Sequence, residues 1–136
     1  MNMSIIQYIY YLKDKHLSTD LYKYNLNAED IKLKLETIIE NKTYLRQDFT
    51  VSTCAKEMDM PPHHLSYFIS TLYGMNFSQF KNSLRVDYSK DLMAKGFLEQ
   101  STIEALAQEC GFGGRSSFSK TFKTITSHSP SEYLLK

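Results

Sequence analysis

Two sets of polar side chains recur at helical spacing in segments whose remaining positions are largely apolar. The first set comprises His63, Ser66, Tyr67 and Ser70, and the second comprises Arg115, Ser116, Ser119, Lys120 and Lys123. Because each set lies opposite apolar side chains on a helix, helical folding would present it to solvent. Hydroxyl, imidazole and guanidinium groups on an exposed helix can hydrogen-bond to base edges in the major groove of DNA.

Arg115 is the strongest single candidate for such a contact. It would stand at the N-terminal end of its helix, and a guanidinium can donate two hydrogen bonds to guanine O6 and N7. Lys120 and Lys123 are candidates for phosphates or a base edge. For any one of these residues, an ordinary solvent-facing role is the alternative interpretation. The first set differs in charge, since no Lys, Arg, Asp or Glu occurs from Pro61 to Phe80.

The elements that would position these residues form two similar patterns about fifty residues apart. Each pattern has a short helix with an Ala on its apolar face, a tight break and a second helix. The apolar positions are Val51, Ala55, Met58, Leu65, Phe68, Ile69 and Leu72 in one pattern, and Ile103, Ala107, Cys110, Phe118, Phe122 and Ile125 in the other. This arrangement is typical of a helix-turn-helix, whose second helix enters the groove.

Start and stop signals predict the helix boundaries. The first pattern opens near Thr50, its leading helix ends near Asp59, and its second helix begins at the prolines before His63 and stops at Gly74. Asn76 or Ser78 caps a long connecting helix that Gly96 ends. The second pattern starts at Ser101 or Thr102, breaks across residues 111–114 and resumes at Arg115.

Flanking helices are predicted on both sides of this region. A short helix is expected over residues 4–13, and Asn27 caps a helix whose apolar stripe suggests that it runs to about Tyr44. At the other end, Ser129, Pro130 and Glu132 form a capping box. We identify no strand, so the predicted class is all-α.

The connecting helix also sets the distance between the second helices of the two patterns. About 18 residues at ~1.5 Å each give ~27 Å, so one chain could place both second helices in successive major-groove segments of a duplex whose turn is ~34 Å. On this helix Arg85, Lys90 and Lys95 alternate with Asp87 and Asp91. We expect these charges to form a solvated face, with phosphate contact as the alternative.

The predicted organisation has two parts. Residues 1–44 form a helical extension and residues 45–136 form the two-pattern domain. Within that domain we expect two helix-turn-helix subdomains joined by a linker helix and followed by a C-terminal helix, at residues 50–74, 77–95, 102–125 and 130–135.

The amino-acid composition limits the kinds of protein that this chain can be. In this chain of 136 residues, 42% of residues are apolar and ten tyrosines and eight phenylalanines are present, enough for modest cores. The net charge of +1 means that nucleic-acid affinity must come from local placement of Lys and Arg. Cys54 and Cys110 are expected to be buried thiols of a cytoplasmic protein. No stretch approaches the ~20 apolar residues of a membrane span.

Catalytic and metal sites are not indicated. No phosphate loop, paired carboxylates or nucleophile motif is found, so an enzyme is disfavoured, and no cofactor is implied. His63 and His64 are adjacent and point about 100° apart on a helix, which is poor geometry for binding one metal ion.

The sequence resembles the AraC/XylS family of bacterial transcription regulators, specifically the DNA-binding domain, over residues 45–136. The resemblance rests on TIEALAQECGFGGRSSFSKTFK from Thr102, SPSEY from Ser129, and the earlier runs PPHHLSYFI, GMNFSQF and RVDYSKDLM. It implies seven helices in two lobes, with both recognition helices in the major groove of asymmetric sites near promoters. The base-reading candidates that it implies are His63, Ser66, Tyr67, Arg115, Ser116, Ser119 and Lys120.

The chain departs from the family pattern at several positions. The family usually has a basic residue where Tyr67 stands and often lysines at Ser70 and Thr71, so the first unit is expected to hold phosphates less firmly. Gly113 and Gly114 replace the polar cap before the second recognition helix. The glycine that is usual after that helix is replaced near Ser127 and His128.

These observations predict that the chain is a sequence-specific transcription regulator that binds double-stranded DNA. RNA polymerase and a sensor domain or partner protein are further partners that this interpretation allows. Because residues 1–44 are too few for the family's common cupin-like sensor, the chain is either a small stand-alone regulator or the C-terminal piece of a larger one. The alternative is a helical protein-interaction module with the same fold and only weak DNA binding.

Overall fold

The computed structural model describes residues 4–13, Tyr24 and residues 26–135. The polar segment expected after the first helix therefore lies largely outside the described residues. Every regular element in the described ranges is helical, which confirms the all-α prediction. The helices are α1 (Ile5–Lys13), α2 (Ala28–Glu40), α3 (Val51–Glu57), α4 (Pro62–Tyr73), α5 (Phe77–Ala94), α6 (Phe97–Gln100), α7 (Ile103–Glu109), α8 (Arg115–Thr126) and α9 (Pro130–Leu134). The chain divides into two compact units, residues 1–81 and residues 82–136, and α5 runs through the division.

In the first unit, α2 begins where the sequence predicts and ends earlier. The Asp30 N–H donates to the Asn27 side chain at 3.1 Å, which confirms the N-cap. The helix ends at Glu40 instead of near Tyr44, because Lys42 adopts a left-handed conformation with φ of 54°. Continuing the apolar stripe past Ile39 would place the charged Lys42 on its inner side. The chain turns instead and buries Tyr44 in a 3-10 turn, Thr43–Leu45.

The caps of the first helix-turn-helix are the predicted ones. Thr50 and Thr53 form a reciprocal box, in which the Thr53 N–H donates to Thr50 Oγ1 at 3.1 Å and the Thr50 N–H donates to Thr53 Oγ1 at 2.9 Å. Pro62 occupies the first turn of α4, where its missing N–H leaves no intrahelical bond unmade. Gly74 ends α4 with φ of 67°, a left-handed conformation that a Cβ atom would strain.

The second unit has its own apolar core. It is formed by Val86, Met93, Leu106, Ala107, Cys110, Phe112, Phe118 and Phe122. Phe118 and Phe122 are fully buried, with ring centroids 5.6 Å apart. The prediction that Ile125 continues this inner face is wrong, because its side chain is 40% exposed. Ile125 follows Phe122 by three positions near the end of α8, where the helix no longer faces this core.

The linker helix α5 corrects one expectation about charge. Asn76, one of the two predicted caps, accepts a hydrogen bond from the Gln79 N–H at 2.8 Å through its Oδ1. However, Arg85 and Asp87 are buried and not part of a solvated face. Arg85 is buried because its guanidinium donates to the Gly111 carbonyl at 2.8 Å, a partner far away in sequence. The short helix α6 was not predicted, since only four residues separate the left-handed Gly96 from Ser101.

Three further findings concern the cysteine thiols, membrane spans and metal ligands. Cys54 and Cys110 are buried free thiols, as predicted, and burial raises the pKa of each to about 12. Within the described ranges, no helix combines the length and apolar character needed to cross a membrane. In the same ranges, no three His, Cys, Asp or Glu side chains cluster as metal ligands would.

Candidate nucleic-acid interface

The two helix-turn-helix units share the same turn. In the first unit the Met60 N–H donates to the Ala55 carbonyl at 3.0 Å, and in the second the Phe112 N–H donates to the Ala107 carbonyl at 2.9 Å. Asp59 and Gly111 occupy the equivalent left-handed position, with φ of 54° and 85°. The repeat seen in the sequence is therefore a repeat of backbone structure.

In the first unit, the second helix α4 separates its two faces as the sequence predicts. Its inner residues Leu65, Phe68 and Ile69 are fully buried. Its outward residues His63, Ser66 and Ser70 are exposed, whereas His64 and Tyr67 are half-buried. The face therefore offers hydroxyl and imidazole groups without any formally charged side chain.

The second unit presents the corresponding face of α8. Arg115, Ser116, Lys120 and Lys123 are exposed, and Ser119 is half-buried. These residues lie opposite the buried Phe118 and Phe122, so the predicted division between outward and inward positions holds on this helix. In the turn before the helix, Gly113 and Gly114 have nothing within 4 Å of where a Cβ atom would stand.

Aligning the inner residues of the two helices shows how their outer faces differ. Leu65 and Ile69 of α4 correspond to Phe118 and Phe122 of α8, an offset of 53 residues. With this offset, Tyr67 corresponds to Lys120. Likewise, Ser70 corresponds to Lys123. The same positions are thus neutral in the first unit and positively charged in the second.

Arg115 is paired within its own unit. Its Nη1 lies 3.3 Å from Glu104 Oε1, and the two side chains are 58% and 56% exposed. A backbone hydrogen bond at the start of α7 is the main reason that the pKa of Glu104 lies below its ordinary value, and the hydrogen bond from Arg115 lowers this pKa further. Because exposed ion pairs contribute little stability, Arg115 can exchange Glu104 for another acceptor at small cost.

A buried residue holds the turn that precedes α8. The Arg85 guanidinium donates to the Gly111 carbonyl and lies 6.0 Å from the centroid of the Phe112 ring. Burial lowers the pKa of Arg85, but a guanidinium remains charged in proteins. Arg85 thus positions the turn and, through it, the start of α8.

The sequence interpretation did not identify two residues at these faces. Ser117 is exposed in the first turn of α8, and its Oγ donates to the Gly114 carbonyl at 3.4 Å. The ring of Tyr24 lies against the outward side of α4, with its centroid 5.1 Å from that of Tyr67. Ser117 could have been found from its place on the helix, whereas no sequence signal connects Tyr24 with α4.

Comparison with known proteins defines the class. A family model described as a helix-turn-helix domain matches residues 54–136. The chain belongs to this family, in its AraC type, which confirms the resemblance inferred from the motifs. The seven helices α3–α9 agree with the number that the resemblance implies.

Individual relatives agree with this assignment. An uncharacterized HTH-type transcriptional regulator of Staphylococcus aureus (strain MSSA476) is 29% identical over 91 residues, which are 66% of this chain and 12% of that protein. The chain thus matches only a small part of this relative's length.

Two solved structures share the fold. The C-terminal domain of AraT, a response regulator from Geobacillus stearothermophilus, has a TM-score of 0.66 at 22% identity, covering 77% of this chain and 83% of that one. The DNA-binding domain of AdpA, a global transcriptional factor solved in complex with a target DNA, has a TM-score of 0.60 at 21% identity, covering 87% of this chain and 92% of that one.

Proposed function

We propose that this chain is the DNA-binding part of a sequence-specific transcription regulator and that it inserts α4 and α8 into successive major-groove segments of double-stranded DNA. The observation that carries the proposal is the repeated helix-turn-helix, in which the second helix of each unit has a buried apolar side and an outward polar side. A helix of this kind fits the major groove. The DNA-bound structure of AdpA, which shares the fold, supports the same assignment.

We propose the domain organisation that the sequence suggests, with residues 45–136 as the DNA-binding domain and residues 1–44 as an extension. The 18 residues of α5 extend over ~27 Å, close to the ~34 Å of one duplex turn. If α5 stays rigid on binding, either the groove spacing matches its length or the DNA must bend.

We propose that α4 and α8 contact the DNA in different ways. His63, Ser66 and Tyr67 would read bases through hydrogen bonds and ring contacts. On α8, Arg115, Ser116, Ser119 and Lys120 would read bases, and Lys123 would bind phosphate. Each neutralised phosphate adds about −0.9 to the slope of log affinity against log salt concentration. With few basic residues on these faces, we expect a shallow salt dependence that comes mainly from α8.

The test begins with selection of bound duplexes from a random pool by the full chain. Fluorescence anisotropy titrations on the selected duplex and on single-base variants then compare wild type with Arg115→Ala. We expect a loss of about 1–3 kcal/mol in binding free energy and relaxed preference at one base pair, since a guanidinium contact to guanine would be missing.

Lys95→Ala is the matched control, because Lys95 is an exposed cation that belongs to neither α4 nor α8. It should leave sequence preference unchanged. An Arg115→Ala loss that is equal on every duplex, or no loss at all, would contradict base reading by Arg115.

A second function has one observation in its favour. The outward face of α4 carries no formal charge and already makes ring contacts with Tyr24. A helical protein-interaction module would use such a face to bind another protein. Affinity for all duplexes that stays weak even at low salt, together with a stable complex with a partner protein, would favour this alternative.

A further inference from the structure

The side chain of Tyr24 covers part of the outward side of α4. Its ring stacks on the His64 ring, with centroids 4.4 Å apart and an interplanar angle of 28°. It also makes edge contacts with His63 and Tyr67, at centroid distances of 5.4 Å and 5.1 Å. One aromatic ring therefore contacts three residues in the N-terminal half of α4.

Tyr24 lies close in sequence to α2, which contacts the turn before α4. Tyr24 precedes Asn27, the N-cap of α2, by three positions. Farther along α2, Lys34 Nζ donates to the Met58 carbonyl in the turn between α3 and α4 at 2.9 Å. This bond joins α2 to the turn that precedes α4, and the three ring contacts place Tyr24 itself against α4.

Tyr24 occupies space that DNA would need. His63 and Tyr67 are two of the residues that we propose read bases, and recognition helices approach base edges with their N-terminal residues. With the Tyr24 ring in place His63 is still exposed and Tyr67 is half-buried, but the ring occupies one side of both side chains. A base pair that approaches them from that side therefore meets the Tyr24 ring first.

We infer that Tyr24 forms an autoinhibitory contact, which must open before α4 can enter the major groove. The inference rests on the proposed function. Three ring contacts also replace part of the water that would otherwise solvate this uncharged face. DNA binding then competes with the closed form. The apparent affinity equals the affinity of the open form multiplied by the fraction of molecules that are open.

The size of the effect follows from that fraction. If the open form is about one tenth of the population, apparent affinity is reduced about tenfold. We therefore expect Tyr24→Ala to bind the selected duplex about three to ten times more tightly than wild type, a range consistent with aromatic contacts of this kind. Tyr24→Phe keeps the ring contacts and should bind less tightly than Tyr24→Ala.

A double-mutant cycle tests whether the stacked pair is responsible. His64→Ala removes the stacking partner and leaves His63, Ser66 and Tyr67 in place. It should also tighten binding, and the double variant should gain less than the two single gains combined, because both changes remove the same contact. Unchanged or weaker binding by Tyr24→Ala would overturn the inference; weaker binding would mean that Tyr24 assists DNA contact.

A measurement without DNA separates this inference from the proposed function. NMR of the full chain should show that Tyr24→Ala shifts the His64 imidazole proton resonances, because a stacked ring shields them. Adding the selected duplex to wild type should move the same resonances towards their positions in the variant. If they do not move although the duplex binds, the autoinhibitory role fails and the proposed function stands. If no duplex binds to any variant, both fail.

Discussion

Replacing Arg85 by methionine tests whether a buried cation holds the second helix-turn-helix turn in place. Arg85 is 6% exposed, and its hydrogen bond to the Gly111 carbonyl is 2.8 Å long. A hydrogen bond from a charged donor contributes about 1.5–3 kcal/mol. Methionine fills similar space and avoids the desolvation of a buried charge, which offsets part of the loss.

We therefore expect Arg85→Met to lower the free energy of unfolding by about 2 kcal/mol. In a urea titration this corresponds to a midpoint about 1 M lower when the slope is about 2 kcal/mol per molar urea. Circular dichroism would follow the loss of helix. Hydrogen exchange of the Phe112 amide, which bonds to the Ala107 carbonyl, would report on the turn itself.

The matched control is Lys95→Met, which removes an exposed cation just after the same helix. Its effect should stay within about 0.5 kcal/mol. If Arg85→Met is as stable as this control, and Phe112 exchange is unchanged, then the Arg85 hydrogen bond does not hold the turn and the reasoning is wrong.

Two other substitutions should stabilise the chain. Tyr73 is 8% exposed, and its hydroxyl has no hydrogen-bond partner among the described residues. Tyr73→Phe should therefore raise the free energy of unfolding by about 1 kcal/mol. A lower free energy of unfolding in a urea titration would show that the hydroxyl does make a hydrogen bond. Ser127 ends α8 with φ of 69°, a conformation that favours glycine. Ser127→Gly should therefore raise the free energy of unfolding by about 1 kcal/mol, and with it the melting temperature. An unchanged or lower melting temperature would argue against strain at Ser127.

The helix boundaries could be predicted because their causes are local. Thr50, Thr102 and Ser129 each accept a hydrogen bond from a backbone N–H three residues later. Pro62 and Gly74 act through the backbone conformations that they allow or forbid. The outward faces followed from the same local pattern, because placing apolar residues inward leaves the polar ones facing solvent.

The end of α2 shows where local signals were insufficient. No Gly or Pro lies between Glu40 and Tyr44 to mark a stop. The chain turns at the left-handed Lys42, and Tyr44 is buried in the 3-10 turn that follows. This packing of Tyr44 depends on the tertiary structure, so no local signal could place the boundary.

The sequence by itself determined all the helical segments except α6, where most of them begin and end, and which sides of α4 and α8 carry polar groups. Only the tertiary structure decided that Arg85 points inward to the Gly111 carbonyl and that Tyr24 packs on His64. The physical reason is the sequence separation over which each kind of interaction acts. Caps and periodicity act within a few residues, whereas these contacts join residues 26 and 40 positions apart, which become neighbours only when the helices pack.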